Sequence, residues 1–287
     1  MSSVSVFGIG LMGAPIALTL NQSGYQVTAY NRTASKLETL KKSEICTTTA
    51  INGAIAASDY LLLTLSDAKA IKSVLFADTA DFTNKTIIQM GTISPNESRE
   101  IAAKILDRGG SYLEAPVLGS IPQAKAGTLL VMAGGDATTY ENCLSLLKQL
   151  GEEPRLIGEV GSAAALKLAL NQLIAALTSG FSLSLGLIQR EGVDLEQFMA
   201  ILRDSALYAP TFDKKLQRMG DRHFDNPNFP TKHLLKDTDL FLQVAAAANL
   251  NSDGLAGIRE IIAQAVAKGL ADQDYSAIYN VINPPQE

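Results

Sequence analysis

Tryptophan is absent from the 287 residues, and cysteine and histidine occur only twice each. Cys46, Cys143, His223 and His233 cannot build a disulfide framework, and they leave a His/Cys metal cage almost no ligands, so no metal is expected. So few cysteines fit a reducing compartment, which predicts a cytoplasmic protein. Charge is also scarce: 18% of the residues are Asp, Glu, Lys or Arg, with 24 basic against 29 acidic side chains and a net −5. That acidic balance lacks the electrostatic footprint of a nucleic-acid binder. Residues 2–7 read as a short strand meeting a glycine loop, without the basic start or cleavage-like site of a targeting segment. Hydrophobic residues, by contrast, make up 47%. That is enough for a sizeable core in one large domain or two ordinary ones.

One run is uncharged for long enough to span a bilayer, residues 168–188. Asn171, Gln172, Thr178, Ser179, Ser182 and Ser184 interrupt it, which predicts a buried interdomain or interface helix and no membrane partner. Elsewhere the pattern divides in two. Strand-like runs at 4–7, 25–30, 45–48, 60–65 and 86–90 alternate with helix-length segments. A helix at 96–107, opened by Pro95 and closed by Gly109-Gly110, precedes strands at 112–115, 128–133 and 155–157. After about Gly161 the strand pattern stops. A helix is expected at 34–42 in the first half; residues 163–190 read as one long helix, followed by helices at 195–203, 212–219, 233–248 and 254–268. The tail 283–287 reads as a loose end.

Gly8-Ile9-Gly10-Leu11-Met12-Gly13 follows the first strand and opens a helix, the context a G-x-G-x-x-G motif needs. Gly8 permits the tight turn, Gly10 lets backbone approach a pyrophosphate, and Gly13 lets helix and strand pack closely. The helix N-terminus supplies N–H groups and positive dipole to phosphate. The bland alternative is a glycine-rich turn. The expected fold class is therefore α/β, with an N-terminal Rossmann-type doubly wound sheet at 1–160. An all-helical domain at 161–287 follows, joined by the long interdomain helix. NAD-preferring chains place Asp or Glu after the second strand, about 20 residues past the glycines. Here that place holds Asn31-Arg32-Thr33. An Arg guanidinium pairs with a 2′-phosphate, and Asn31 and Thr33 can add hydrogen bonds, which favours NADP(H). Otherwise Arg32 is a solvated side chain beside a helix cap at Thr33. Leu65, ending the fourth strand run, is counted with the cofactor-binding residues.

Several segments together resemble the β-hydroxyacid dehydrogenases, the group of 3-hydroxyisobutyrate dehydrogenase and the glyoxylate/succinic semialdehyde reductases. They are the glycine loop, Gln89-Met90-Gly91-Thr92-Ile93-Ser94-Pro95, Tyr112-Leu113-Glu114-Ala115-Pro116-Val117-Leu118-Gly119-Ser120, the segment 158–171, and Lys236-Asp237. The family's G-x-x-G-x-x-x-x-x-K-x-x-x-N is filled by Gly158, Gly161, Lys167 and Asn171. Lys167 and Asn171 stand at i and i+4, on one helix face. A carbonyl that accepts hydride needs a proton, which a lysine can give and take back. Asn171 can donate to substrate oxygen or hold the lysine in line. From the helix alone Lys167 could equally be a lysine snorkelling from a helix end.

The resemblance further implies roles for five residues. Thr92 would lie by the nicotinamide, Gly119 and Ser120 would bind the substrate carboxylate, and Lys236 would attract the acid substrate or the cofactor amide. Phe229 would be either a lid or core. Many relatives carry Ser at the positions of Gly91 and Leu118 and an acid at that of Leu183, departures that bear on substrate identity. The expectation is an NADP(H)-dependent enzyme interconverting a small hydroxy acid and its aldehyde or keto acid, acting as a homodimer or homotetramer. The alternatives are a non-catalytic dinucleotide-binding assembly module and an imine-reductase-like enzyme; imine reductases generally replace the catalytic lysine.

Overall fold

A computed structural model describes residues 2–77 and 81–285. Its chain divides into two compact units, Met1–Lys167 and Leu168–Glu287. The first begins with β1 (Ser3–Phe7), α1 (Gly13–Gln22), β2 (Gln26–Tyr30) and β3 (Cys46–Thr48). Next come α2 (Ile51–Ala56), β4 (Tyr60–Leu63), α3 (Ala68–Leu75), β5 (Thr86–Gln89), α4 (Pro95–Leu106) and β6 (Ser111–Glu114). The remainder is β7 (Val117–Leu118), α5 (Ile121–Ala126), β8 (Leu130–Gly135), α6 (Ala137–Leu147) and β9 (Arg155–Gly158).

The sheet runs β3-β2-β1-β4-β5-β6-β8-β7, with β9 on β8. The first six strands are parallel, while β8 pairs antiparallel with β6 and β7. Strand order reverses between β1 and β4, the place where doubly wound sheets take ligands at their carboxyl ends. Side chains alternate across a strand, and here both faces are covered. Val4, Val6, Leu62 and Ile88 therefore pack in one core with α1 and α6. Phe7, Leu61, Leu63 and Ile87 pack in another with α3 and α4. Each such side chain contributes roughly 1.5–3 kcal/mol on burial. Ser5, fully buried on β1, is satisfied by Ala54 O at 2.7 Å and Ser58 Oγ at 2.9 Å.

Several local expectations are corrected. The helix expected at 34–42 is present as a 3₁₀ helix over Ala34–Leu40, two residues shorter. Helices α5 and α6 and strand β7 fill stretches without a clear period. The strand expected at 128–133 runs on through two glycines, because Gly134 and Gly135 pair with Glu114 and Leu113. A Cβ at Gly134 would meet the Glu114 carboxylate. The expected tail contains Asn283, which is buried rather than loose and accepts from Arg190 Nε at 2.8 Å.

Helix α7 (Ser162–Arg190) continues from one unit into the other. The second unit adds α8 (Leu195–Asp204), α9 (Pro210–Gly220), α10 (Thr231–Ala247) and α11 (Asp253–Ala265). A π-turn (Val266–Leu270) follows, where Gly269 takes φ 83. A 3₁₀ turn (Tyr275–Ile278) and α12 (Tyr279–Ile282) end the unit. Phe181, Leu185, Met199, Phe212 and Tyr279 form one core there, and Ala175, Leu234, Ile262 and Ile278 a second. By length and composition α7 could cross a membrane, yet 44% of its most apolar window is buried within the chain. Leu173, Leu177, Leu183 and Leu187 remain exposed along it.

Candidate active site

The glycine loop is built as its spacing requires. Gly8 has φ +100, a value L side chains rarely adopt. A Cβ at Gly13 would collide with Gly8 O, whereas one at Gly10 would meet nothing within 4 Å. Thr64 Oγ1, just past β4, donates to Gly8 O at 2.7 Å and pins the turn. Helix α1 opens here, and its first N–H groups have no carbonyl within the helix to bond. Pro15, in that first turn, has no N–H to satisfy. The open backbone at Gly10 and these helix-end donors fit a dinucleotide pyrophosphate.

Asn31 and Leu65 stand against the same loop. Asn31 Oδ1 accepts from Ile9 N at 3.0 Å and its Nδ2 donates to Thr33 O at 3.0 Å. Asn31 is thus a brace between β2 and the glycine loop. Arg32 and Thr33 are exposed, and Thr33 sits at an N-cap without a side-chain cap bond. Leu65 lies between Gly8 and Gly91. Its side chain is 3.0 Å from a Cβ built on Gly8, and its carbonyl occupies the place of a Cβ on Gly91. That crowding accounts for glycine at position 91, where a serine would clash.

Beyond Gly91, Thr92 is followed by Ser94, which caps α4. The Ser94 N–H donates to Glu97 Oε2 at 2.8 Å and its hydroxyl accepts from Glu97 N at 3.3 Å, a box worth roughly 1 kcal/mol. Ser94 is therefore the cap of α4. Gly119 has φ +137. The Ser120 N–H and hydroxyl donate to Gln123 Oε1, at 3.0 and 2.7 Å. The donors expected to take a carboxylate are thus engaged at the start of α5.

Beneath this surface runs a buried polar chain. Burial raises the Tyr112 phenol well above its ordinary value, so it stays protonated. Its neighbour Ser98 Oγ lies at 2.8 Å, and Ser98 in turn donates to Glu114. With the serine proton committed to the carboxylate, the phenol is the donor of that pair.

Lys167 is half-buried near the start of α7, and Asn171 is buried one turn later. Asn171 Nδ2 donates to Asp237 Oδ2 at 2.6 Å. A carboxylate only accepts, so the Asn171 amide nitrogen must face Asp237 and Oδ1 must face away. That Oδ1 is buried without a hydrogen bond. Lys236 Nζ lies 2.7 Å from Asp237 Oδ1, an ion pair without directed hydrogen-bond geometry. The Phe229 ring packs against His233 and Tyr275, with centroids at 6.4 and 5.9 Å, as core aromatics do.

The structure therefore gathers Gly8, Ile9, Gly13, Asn31 and Leu65 in the first unit and joins Asn171 to Lys236 through Asp237 in the second. Glu114 and Asp237 carry contacts that motif reading passed over. The available signal was a lone carboxylate ending an apolar strand, and an Asp facing one side of a helix.

Residues 3–161 match the family described as the NAD binding domain of 6-phosphogluconate dehydrogenase. Residues 161–282 match the NAD-binding family of NADP-dependent 3-hydroxyisobutyrate dehydrogenase. Glyoxylate/succinic semialdehyde reductase 1 of Arabidopsis thaliana is 30% identical over 99% of this chain and 99% of that protein. The cytokine-like nuclear factor N-PAC of Homo sapiens is 29% identical over 96% of this chain, which spans only 50% of that protein. In fold, 3-hydroxyisobutyrate dehydrogenase from Salmonella typhimurium aligns with TM-score 0.88 and 20% identity, over 98% of this chain and 100% of that one.

Proposed function

The chain belongs to the β-hydroxyacid dehydrogenase family and is an oxidoreductase that uses a nicotinamide dinucleotide, and from that premise we propose that it reversibly reduces small aldehyde or keto acids with NADP(H). The observation that carries the proposal is the placing of Lys167 one turn before Asn171 on α7, where the Asn171 amide is held by Asp237 and its buried oxygen makes no hydrogen bond. A non-catalytic module has no use for such a pair.

Gly8, Ile9, Gly10, Leu11, Met12 and Gly13 would hold the pyrophosphate, with Leu65 and Thr92 beyond them. Arg32 would pair with the 2′-phosphate, supported by Asn31 and Thr33; no carboxylate stands in Asn31-Arg32-Thr33 to repel it. The cofactor, when bound, supplies or accepts the hydride. Lys167 gives its proton to the developing alkoxide and, in oxidation, takes it back as the neutral amine. Asn171 Oδ1, an acceptor, aligns the lysine N–H or a substrate hydroxyl. Gly119, Ser120 and Lys236 would receive the substrate carboxylate, Ser120 exchanging its Gln123 bond for it. Glyoxylate and succinic semialdehyde, in the name of the Arabidopsis relative, are the first substrates to try. The scarcity of cysteine supports a cytoplasmic setting.

Lys167→Ala should lower kcat by about 10²–10⁴ with NADPH affinity near wild type, and Asn171→Ala should cost less. Lys167→Arg should rescue poorly, since guanidinium hardly releases a proton. Stopped-flow and steady-state assays on carbonyl acids and a cyclic imine read this out. An unchanged kcat with weakened NADPH would make Lys167 a cofactor anchor. The exposed leucines on α7 support a homodimer or homotetramer. Light scattering at micromolar concentration tests this, and a monomer would end the idea.

A further inference from the structure

We infer that Glu114 is the positioning residue for Lys167, an inference that rests on Lys167 as proton carrier. Glu114 ends β6 and is fully buried. Its Oε1 accepts three backbone N–H groups at the start of α7: Gly161 at 2.9 Å, Ala163 at 2.8 Å and Ala164 at 3.1 Å. Its Oε2 accepts from the Ser98 hydroxyl. Those opening N–H groups have no carbonyl within the helix, and they form the positive end of its dipole. Lys167 follows Ala163 by four residues and Ala164 by three, so it stands on the turn directly above the bonded one. One carboxylate oxygen thereby sets both the height and the rotation of the lysine-bearing turn.

The seat has little slack. A Cβ on Gly134 would collide with the carboxylate from the sheet side. Gly161 holds φ +101, and the Arg99 guanidinium fills the space where its Cβ would stand. The backbone of Glu114 leads directly to Gly119 and Ser120. Through Ser98 it is also bonded to α4, which begins just past Thr92. A single side chain thus ties together the three first-unit segments on which the proposed reaction draws.

The charge acts as well as the shape. Charged groups placed at this helix start are Glu114, bonded to it, Arg99 against Gly161, and the exposed Glu159 two residues before Gly161. Without the Glu114 carboxylate, the dipole and Arg99 would disfavour the Lys167 ammonium, and the lysine would lose its proton at lower pH.

The test uses Glu114→Gln and Glu114→Asp in the full chain, with glyoxylate and NADPH. In Glu114→Gln, NADPH affinity should stay within about twofold, because the glycine loop is untouched. Its kcat should fall roughly ten- to a hundredfold, the scale on which small misplacements act. The alkaline limb of kcat should move to lower pH. Glu114→Asp keeps the charge but shortens the reach, so its kcat should fall while the limb stays in place. Carbon-13 methyl NMR of reductively methylated protein follows Lys167 without turnover, its signal assigned by loss in Lys167→Arg. The Lys167 titration midpoint should drop in Glu114→Gln. Wild-type kcat, limb and midpoint in Glu114→Gln would overturn the inference and leave Glu114 a fold residue. If Glu114→Gln does not fold, Glu114→Asp decides: lost kcat with kept NADPH affinity supports the inference, and wild-type kcat overturns it. A wild-type protein inert on every carbonyl acid would remove only the catalytic reading, with the NMR midpoint still deciding for Glu114.

Discussion

In the first unit, the polar side chains around the glycine loop and the sheet's carboxyl edge close on one another. Asn31 bonds at both ends, Thr64 clips Gly8, Gln89 grips the backbone of Gly91, and Ser98 links Tyr112 to Glu114. In the second unit, Asn171 Oδ1 is buried with no hydrogen bond and Asp237 Oδ1 has only the Lys236 charge. A buried acceptor left unmade costs about 1–3 kcal/mol. The first unit's frame around the glycine loop is thus closed within the chain, whereas the second unit keeps buried polar atoms open at Asn171 and Asp237 and at the Thr178 and Ser182 hydroxyls. The second unit also holds a buried ion pair. Lys215 Nζ lies 2.8 Å from both carboxylate oxygens of Asp274 and 4.2 Å from the centroid of the Tyr275 ring.

That pair is where the comparison breaks most forcefully. Lys215→Met strands the fully buried Asp274 carboxylate, left with the N–H and hydroxyl of Ser276, and should destabilise the protein by about 3–5 kcal/mol. Chemical denaturation measures the loss, and NADPH affinity of the folded variant should stay near wild type. An equal collapse of NADPH binding would mean that the frame is not complete on its own.

Arg32→Ala makes the complementary cut in the first unit. It should weaken NADPH by about 1.5–3 kcal/mol, the worth of a charge-assisted phosphate contact, and leave NADH nearly unchanged. Because Arg32 is exposed, the melting temperature should not move. Equal loss for both cofactors in fluorescence titrations would refute NADP(H) preference.

The smallest effect concerns His233. Burial lowers its pKa below 6.5, aided by Lys236 and Lys232 and opposed by Asp237 and Asp272. A depressed folded value means that the native state takes up its proton later than the unfolded chain as pH falls. Stability from the neutral ring is therefore present above about 6.5 and lost as pH drops through the lower folded value. His233→Gln cannot titrate, so its melting temperature should fall less than wild type's between about pH 7.5 and pH 5.5. Parallel curves would show that His233 does not carry this pH dependence.

Much of this frame was legible in the chain because it depends on local rules. Gly8, Gly10 and Gly13 announce their turn by spacing, and the short run 4–7 ahead of them announces a strand. Ser94-Pro95 followed by Glu97 spells a helix start. The helix carrying Lys167 and Asn171 is plain from its apolar length and its i, i+4 pair. What escaped is the partner that each polar side chain takes. Asn31 looked like a phosphate ligand, yet its amide is bonded on both sides. Ser120 looked like a free donor, yet Gln123 takes both its hydrogens. Asn283, in a Pro-rich tail, is buried against α7.

Composition and periodicity were sufficient for the two architectures, the glycine loop and the lysine helix, since backbone geometry and side-chain period repeat within a few residues. The partner of a buried polar atom follows no such period. Glu114 and Gly161 are 47 residues apart, and Asn171 and Asp237 are 66 apart. Their bonds exist because strand order and helix packing bring distant backbone together. There a desolvated carboxylate must find donors, and the donors within reach are those that three-dimensional packing leaves unpaired.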